Sequence, residues 1–185
     1  MATHEAQQCA LQRAVPAFVL LAVLLVTGIP AIAFAQPDIP PRMGRELNLS
    51  GPRFGLTLIS QGTIDALKDR NINVRPLLSQ FGWQFERRLY TNTDGVTALM
   101  EWVPLISGLD QGYTLPSLNW LVGVRTSTGT EFGIGPNITP VGVGLVLAAG
   151  VTVRSGALNI PLNFAVASSK SGPRVTILTG FNFRR

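Results

Sequence analysis

Along most of the chain, large apolar residues alternate with small or polar ones, and short turn sequences interrupt this alternation. In residues 141–153, 158–166 and 175–183, one face carries valine, leucine, isoleucine and phenylalanine. The opposite face carries mainly glycine, alanine, threonine and asparagine. Because side chains of a β-strand point alternately to its two faces, this period of two predicts antiparallel strands with one large apolar face.

Turn sequences rich in glycine, serine, asparagine and aspartate divide the alternating segments into hairpins. Together with a first strand over 52–59, they predict an all-β, mainly antiparallel fold, a small up-and-down β-barrel of about eight strands. One short helix is predicted over 64–70, with Ser60 or Thr63 as its cap and Asn71 at its end. The eight segments are PRFGLTLI, SQFGWQFERRLY, GVTALMEWVPLIS, LPSLNWLVGVRT, TEFGIG, TPVGVGLVLAAGVTVR, ALNIPLNFAVAS and PRVTILTGFNF.

The face that carries small and polar residues distinguishes a barrel from other β folds. Lysine and glutamate, which a wetted face would carry, are nearly absent from it, and this favours the lumen of a barrel. The segment 97–106 is apolar on both faces, with Leu99 and Val103 on one and Met100 and Trp102 on the other. That pattern indicates a strand buried on both sides. A soluble β-sandwich or a helix-covered half-barrel is therefore the alternative fold.

The first 35 residues have the organisation of a secretory signal peptide. A polar segment precedes a charge-free apolar run that closes on the sequence AFA, with small residues where signal peptidase requires them. We predict cleavage after Ala35, with an uncleaved membrane anchor as the alternative. The chain then consists of a signal peptide over 1–35, an extended lead-in over 36–51 and a single β domain over 52–185.

Composition excludes most catalytic mechanisms. The 185 residues include one histidine, His4, and one cysteine, Cys9, and both precede the predicted cleavage site. The chain after that site cannot form a Ser-His-Asp triad, a Cys-His pair or a His/Cys zinc site. We therefore predict no enzymatic activity, no metal and no cofactor, with carboxylate chemistry as the remaining alternative. The net charge of +5 is spread along the chain without a Lys/Arg-rich run, so no nucleic-acid partner is expected.

A set of charged residues lies on the polar faces of the predicted strands. If these faces share one interior, the residues form an ion-pair network that plugs the lumen, since a buried charge persists when it is paired. The alternative is that some of them lie at strand ends in water. Glu101 stands among apolar residues and needs an arginine partner if it is buried. Arg87 falls on the apolar face, so it must lie near an interface if that face contacts lipid. The proposed network consists of Glu86, Arg88, Arg125, Glu131 and Arg174.

Over residues 52–183, the chain resembles in general form the small eight-stranded outer-membrane β-barrels of Gram-negative bacteria. The shared features are the signal peptide, the length of the remaining chain, the short turns and the alternating aromatics of the final GFNF. The resemblance implies export to the outer membrane, contact with the lipid bilayer and a structural, adhesive or lipid-contacting role without catalysis. The alternative is a soluble periplasmic or secreted β-sandwich that binds an apolar ligand or a protein partner.

Overall fold

The computed structural model describes residues 48–183. The predicted signal peptide and most of the predicted lead-in lie outside the described residues. Eight antiparallel strands of 9 to 15 residues make up most of the described chain. They are β1 (Gly51–Ile59), β2 (Leu77–Thr91), β3 (Thr97–Ser107), β4 (Leu115–Arg125), β5 (Thr130–Thr139), β6 (Gly142–Ser155), β7 (Leu158–Ser169) and β8 (Gly172–Gly180).

The sheet closes on itself. Each strand pairs with the next along the chain, and β8 also pairs with β1, over Arg53 to Ile59 on β1. A two-residue strand, β9 (Asn182–Phe183), continues β8 past Phe181 and keeps its register against β7. The predicted small eight-stranded barrel is confirmed. The sandwich and half-barrel alternatives are wrong, because pairing of the first and last long strands leaves the sheet without a free edge.

Strand β3 is not buried on both sides. Its inward residues, among them Leu99 and Val103, are almost completely buried, whereas Trp102 on the other face is 54% exposed. The apolar inward face arises because leucines and valines fill this part of the lumen. The prediction that β3 is buried on both sides was therefore wrong. The sequence alone does not distinguish an apolar residue that enters the core from one that points outward.

Strand β5 is longer than the TEFGIG segment indicated. It continues beyond Gly135, the last residue of that segment, through Pro136 to Thr139 and has ten residues. At Gly135 the backbone of β4 lies so close that a Cβ atom would come within 1.8 Å of the Trp120 carbonyl oxygen. Only glycine fits such an approach. The alternation of side chains is lost there, and with it the sequence signal for a strand.

One α-helix, α1 (Gln61–Lys68), follows β1 and lies at one end of the barrel, which we call the helix end. It begins three residues before the predicted start, with Ser60 at the N-cap position. Asn71 ends this segment in the left-handed conformation, with φ of 62°. Ile64 and Leu67 are buried and belong to an apolar cluster with Ile59, Val74, Leu78 and Leu115. No helix in residues 48–183 is long and apolar enough to cross a membrane.

The loop between β3 and β4 is held against the start of β2. Its 3₁₀ turn, Leu109–Gln111, was not predicted. The Asp110 carboxylate accepts hydrogen bonds from the backbone N–H and the hydroxyl of Ser79, at 3.0 and 2.5 Å. These bonds lower the pKa of the exposed Asp110 carboxyl below its ordinary value. Gln111 donates to the Leu77 carbonyl oxygen at 2.7 Å. Both longer connections of the barrel, 60–76 and 108–114, thus lie at the helix end.

Candidate functional site

The polar faces of the strands meet inside the barrel. The turn between β2 and β3, the turn between β4 and β5 and the start of β1 lie opposite the helix end, at what we call the terminal end. Near this end the interior contains charged and amide side chains, whereas the same strands expose large apolar side chains on the outside. The alternation that predicted the strands therefore separates a polar interior from an apolar exterior.

Arg125 lies at the centre of the interior charges. Its Nη1 donates to Glu86 Oε1 at 2.8 Å, and its Nη2 bonds Glu86 Oε2 as the second arm of a bidentate pair. Its Nε donates to Glu131 Oε1 at 2.5 Å. Cross-strand pairing places Arg125 directly beside Glu131, whereas Glu86 reaches it from β2, across β3. These three side chains, which we call the ion-pair cluster, are each at most 10% exposed.

The residues before β1 close the lumen beside the ion-pair cluster. The backbone N–H of Leu49 donates to Glu86 Oε2 at 3.2 Å, and the side chain of Leu49 is fully buried. The hydroxyl oxygen of Ser50 accepts the backbone N–H of Glu86 at 2.9 Å. Glu86 is therefore bonded from the N-terminal segment as well as from Arg125, which fixes its position at the terminal end.

A second polar chain runs beside the ion-pair cluster. Arg53, which is fully buried, donates from Nε to Gln84 Oε1 at 2.9 Å and from Nη2 to the Leu49 carbonyl oxygen at 2.6 Å. Gln84 in turn donates to Glu101 Oε1 at 2.7 Å. Glu101 is thus linked to an arginine, as expected for a buried carboxylate. The link is not a direct ion pair, because the amide of Gln84 lies between Arg53 and Glu101.

Arg53 was missed as a site residue from the sequence. The available signal was its alternation with Phe54, Leu56 and Leu58 in the first strand, all three of which are exposed on the outer face. That alternation puts Arg53 on the inner face. Its partner could not be identified in the same way, because the contact with Gln84 depends on the pairing of β1 with β2.

The other two residues of the proposed network, Arg88 and Arg174, lie at other positions than the ion-pair cluster. Arg88 is half-buried on the same face of β2 as Glu86. Arg174 lies far from them along the barrel, since its register partners are Ile59 on β1 and Ala167 on β7. Its Nη2 donates to Asn137 Oδ1 at 2.5 Å. Of the five predicted residues, the structure brings Glu86, Arg125 and Glu131 together, and it places Arg174 elsewhere in the lumen.

Three carboxylates share this interior. Glu86 and Glu101 are direct cross-strand partners on β2 and β3, and Glu131 on β5 shares the partner Arg125 with Glu86. Two of the three are held by the arginine and the third by Gln84. Within residues 48–183, no group of three histidine, cysteine, aspartate or glutamate side chains is arranged to hold a metal ion.

Replacing Gln84 by leucine is expected to lower the free energy of unfolding by about 1–3 kcal/mol. The substitution removes the acceptor of Arg53 Nε and the donor to Glu101, and it leaves both charged groups buried without that bond. Chemical unfolding in detergent, followed by tryptophan fluorescence, measures the change. Gln61→Leu on the exposed face of α1 is the control and should stay within about 0.5 kcal/mol of the parent. Equal stability of the two variants would contradict the bridging role.

No known protein family matches the chain, and neither the curated proteins nor the solved structures include a significant match.

Proposed function

We propose that this protein is a small, non-catalytic β-barrel that spans the outer membrane and contacts lipid with its outer face. The observation that carries the proposal is that all eight strands of a closed barrel expose large apolar side chains outward. The role is structural or lipid-contacting, and the protein reaches its location through the predicted signal peptide.

The apolar outer surface is the main support. Every strand contributes to it, from Phe54 on β1 to Ile177 on β8, and its members are typically about half exposed. Soluble monomeric proteins rarely expose apolar patches of more than a few hundred Å². A surface that surrounds an entire barrel needs an apolar environment on every side, and the hydrocarbon of a bilayer supplies one. The partner of this surface is therefore lipid.

The strand lengths and the outward charges fit a bilayer. A transmembrane strand needs about 9 to 11 residues, and each of β1 to β8 has at least 9. Among the charged residues of the described strands, Arg87 is the one on the outward face. Its register partner Met100 is the fourth residue of β3, which puts Arg87 toward the terminal end. A position near an interface costs little compared with one at mid-membrane.

The absence of catalysis is supported by how the interior carboxylates are used. A general acid or base must be free to exchange a proton with a substrate. Glu86 and Glu131 are both engaged by the same arginine, and the buried Leu49 lies against Glu86. A polar, ion-paired lumen is a common interior for a small membrane barrel, so these charges have a structural explanation.

Brominated lipids test the proposal directly. The chain has three tryptophans, Trp83, Trp102 and Trp120, all on the outer face and 45–54% exposed. We expect strong quenching of their fluorescence when the folded protein is reconstituted in vesicles whose acyl chains carry bromine, because the rings contact those chains. Vesicles of the same lipids without bromine are the control.

Electrophoresis of heated and unheated samples provides the second readout. A closed membrane barrel that resists detergent migrates differently before and after heating, so we expect two mobilities. A protein that stays in the buffer after fractionation, shows one mobility and shows no quenching by brominated lipid would overturn the proposal.

A further inference from the structure

A cavity occupies the barrel between the helix end and the ion-pair cluster. Its volume is about 110 Å³. Part of its wall is apolar and contains Val103, Leu105 and Leu178, which form a buried cluster of their own. An apolar cavity of about 150 Å³ binds benzene. This cavity is somewhat smaller, so one ring is the upper limit for the apolar body of a guest, and a long acyl chain is excluded.

Glu101 and Glu131 also line this cavity, but they are bonded to Gln84 and to Arg125. The lining cation, which lacks an acidic partner in the described chain, is Arg174. It lines the cavity on β8, and its one hydrogen bond within residues 48–183 goes to the neutral amide of Asn137. No ion pair joins it to a carboxylate of the described chain, and its Nε has no hydrogen-bond partner there. A guanidinium carries five N–H hydrogens, and a half-buried one without a counter-charge is costly. Arg174 therefore differs from Arg125, which is paired with the two carboxylates of Glu86 and Glu131.

Another polar side chain of the cavity wall is also incompletely bonded. Gln80 is 9% exposed and donates to Ser107 at 2.9 Å, while its carbonyl oxygen Oε1, an acceptor, has no partner in the described chain. On the opposite side, Asn137 donates to Asn119 at 2.6 Å, so the arginine is held in place by an ordered amide pair. The cavity therefore offers a fixed cation that can donate hydrogen bonds to an anionic guest, and an apolar wall that can contact the guest's body.

We propose that this cavity binds a small monocarboxylate with a compact apolar body. The carboxylate forms a charge-assisted hydrogen bond with Arg174, and the body packs against Leu105 and Leu178. The cavity reaches Glu131 of the ion-pair cluster, whose charge is matched by Arg125. The proposal holds for this barrel in any apolar environment. It therefore does not depend on the outer-membrane assignment.

Benzoate, benzamide and benzylammonium are the probes for the experiment, because they share a ring and differ in charge. The folded full-length protein in detergent micelles is labelled on its leucine and valine methyl groups for NMR titration. We expect benzoate to shift the methyl signals of Leu105 and Leu178 saturably, while those of the outward Leu145 and Leu147 do not saturate. Benzamide and benzylammonium should bind at least about tenfold more weakly, because benzamide accepts a bond from Arg174 without a negative charge and benzylammonium is itself a cation that cannot accept one.

Arg174→Met tests the role of the cation, and it should fold, because it removes a half-buried charge that has no carboxylate partner in the described chain. Its affinity for benzoate should fall at least about tenfold. Arg174→Lys should retain part of the affinity, and Arg154→Met, at an exposed arginine near the end of β6, should leave it unchanged.

Three results would overturn the proposal: no saturable shift of Leu105 and Leu178 with benzoate, equal binding of benzoate and benzamide, or unchanged affinity in a folded Arg174→Met. If Arg174→Met does not fold, the comparison of the three probes on the parent protein still tests the proposal. None of these outcomes bears on lipid contact, which the brominated-lipid experiment measures independently.

Discussion

Replacing Arg125 by methionine is expected to destabilise the folded barrel by about 3–5 kcal/mol. Arg125 is bonded to Glu86 and to Glu131 in a part of the lumen where all three side chains are nearly inaccessible. Without the arginine, two buried carboxylates are left with no cation between them. Urea unfolding in detergent micelles, followed by tryptophan fluorescence, measures the loss.

Two further variants separate the ion pairs from a general effect of losing an arginine. Arg154→Met, at an exposed position, should leave the unfolding curve unchanged. The triple variant Glu86→Gln, Arg125→Met, Glu131→Gln should recover much of the stability, because it removes the uncompensated charges together with their partner. An Arg125→Met variant as stable as the parent would show that these residues are solvated.

A charge swap between Glu86 and Arg125 needs a third change to restore stability. Exchanging Glu86 and Arg125 restores their pair, but the new glutamate at position 125 then lies beside Glu131. Like charges on directly opposed residues are destabilising. The double swap should therefore recover little stability on its own and more when Glu131→Gln is added, as the same unfolding experiment can determine.

Replacing Leu147 by arginine is expected to cost about 2–4 kcal/mol. Leu147 is the sixth of fourteen residues in β6 and points outward, 54% exposed. If lipid surrounds the barrel, this position lies deep in the hydrocarbon, where a guanidinium loses its hydration. Reversible unfolding from lipid vesicles measures the cost.

Val153→Arg is the matched control, since Val153 lies on the same face of the same strand and is 58% exposed. It is the twelfth residue of β6, close to the terminal end, and its cost should be about 0–1 kcal/mol. In a protein surrounded by water, both substitutions would stay within about 0.5 kcal/mol. Equal and small costs for the two variants would therefore contradict the lipid-facing assignment.

The sequence by itself determined the class of fold and the division of each strand into two faces. A period of two, broken by turn residues, requires no knowledge of distant contacts, because each side chain's direction follows from the local strand geometry. The outward position of Leu147 and the inward position of Arg125 were therefore predicted. Where the local signal was absent, as at Gly135 in β5, the prediction of the strand ended too early.

Only the tertiary structure decided which inward residues meet. Closure of β8 on β1, the reach of Glu86 across β3 to Arg125 and the bridge from Arg53 through Gln84 to Glu101 all depend on strand register. Register in a closed barrel is set by the pairing of all strands together. The same cause separates Arg174 from the ion-pair cluster, although both lie on inner faces. The sequence indicated that these charges point inward, and the stagger of the strands determined their partners.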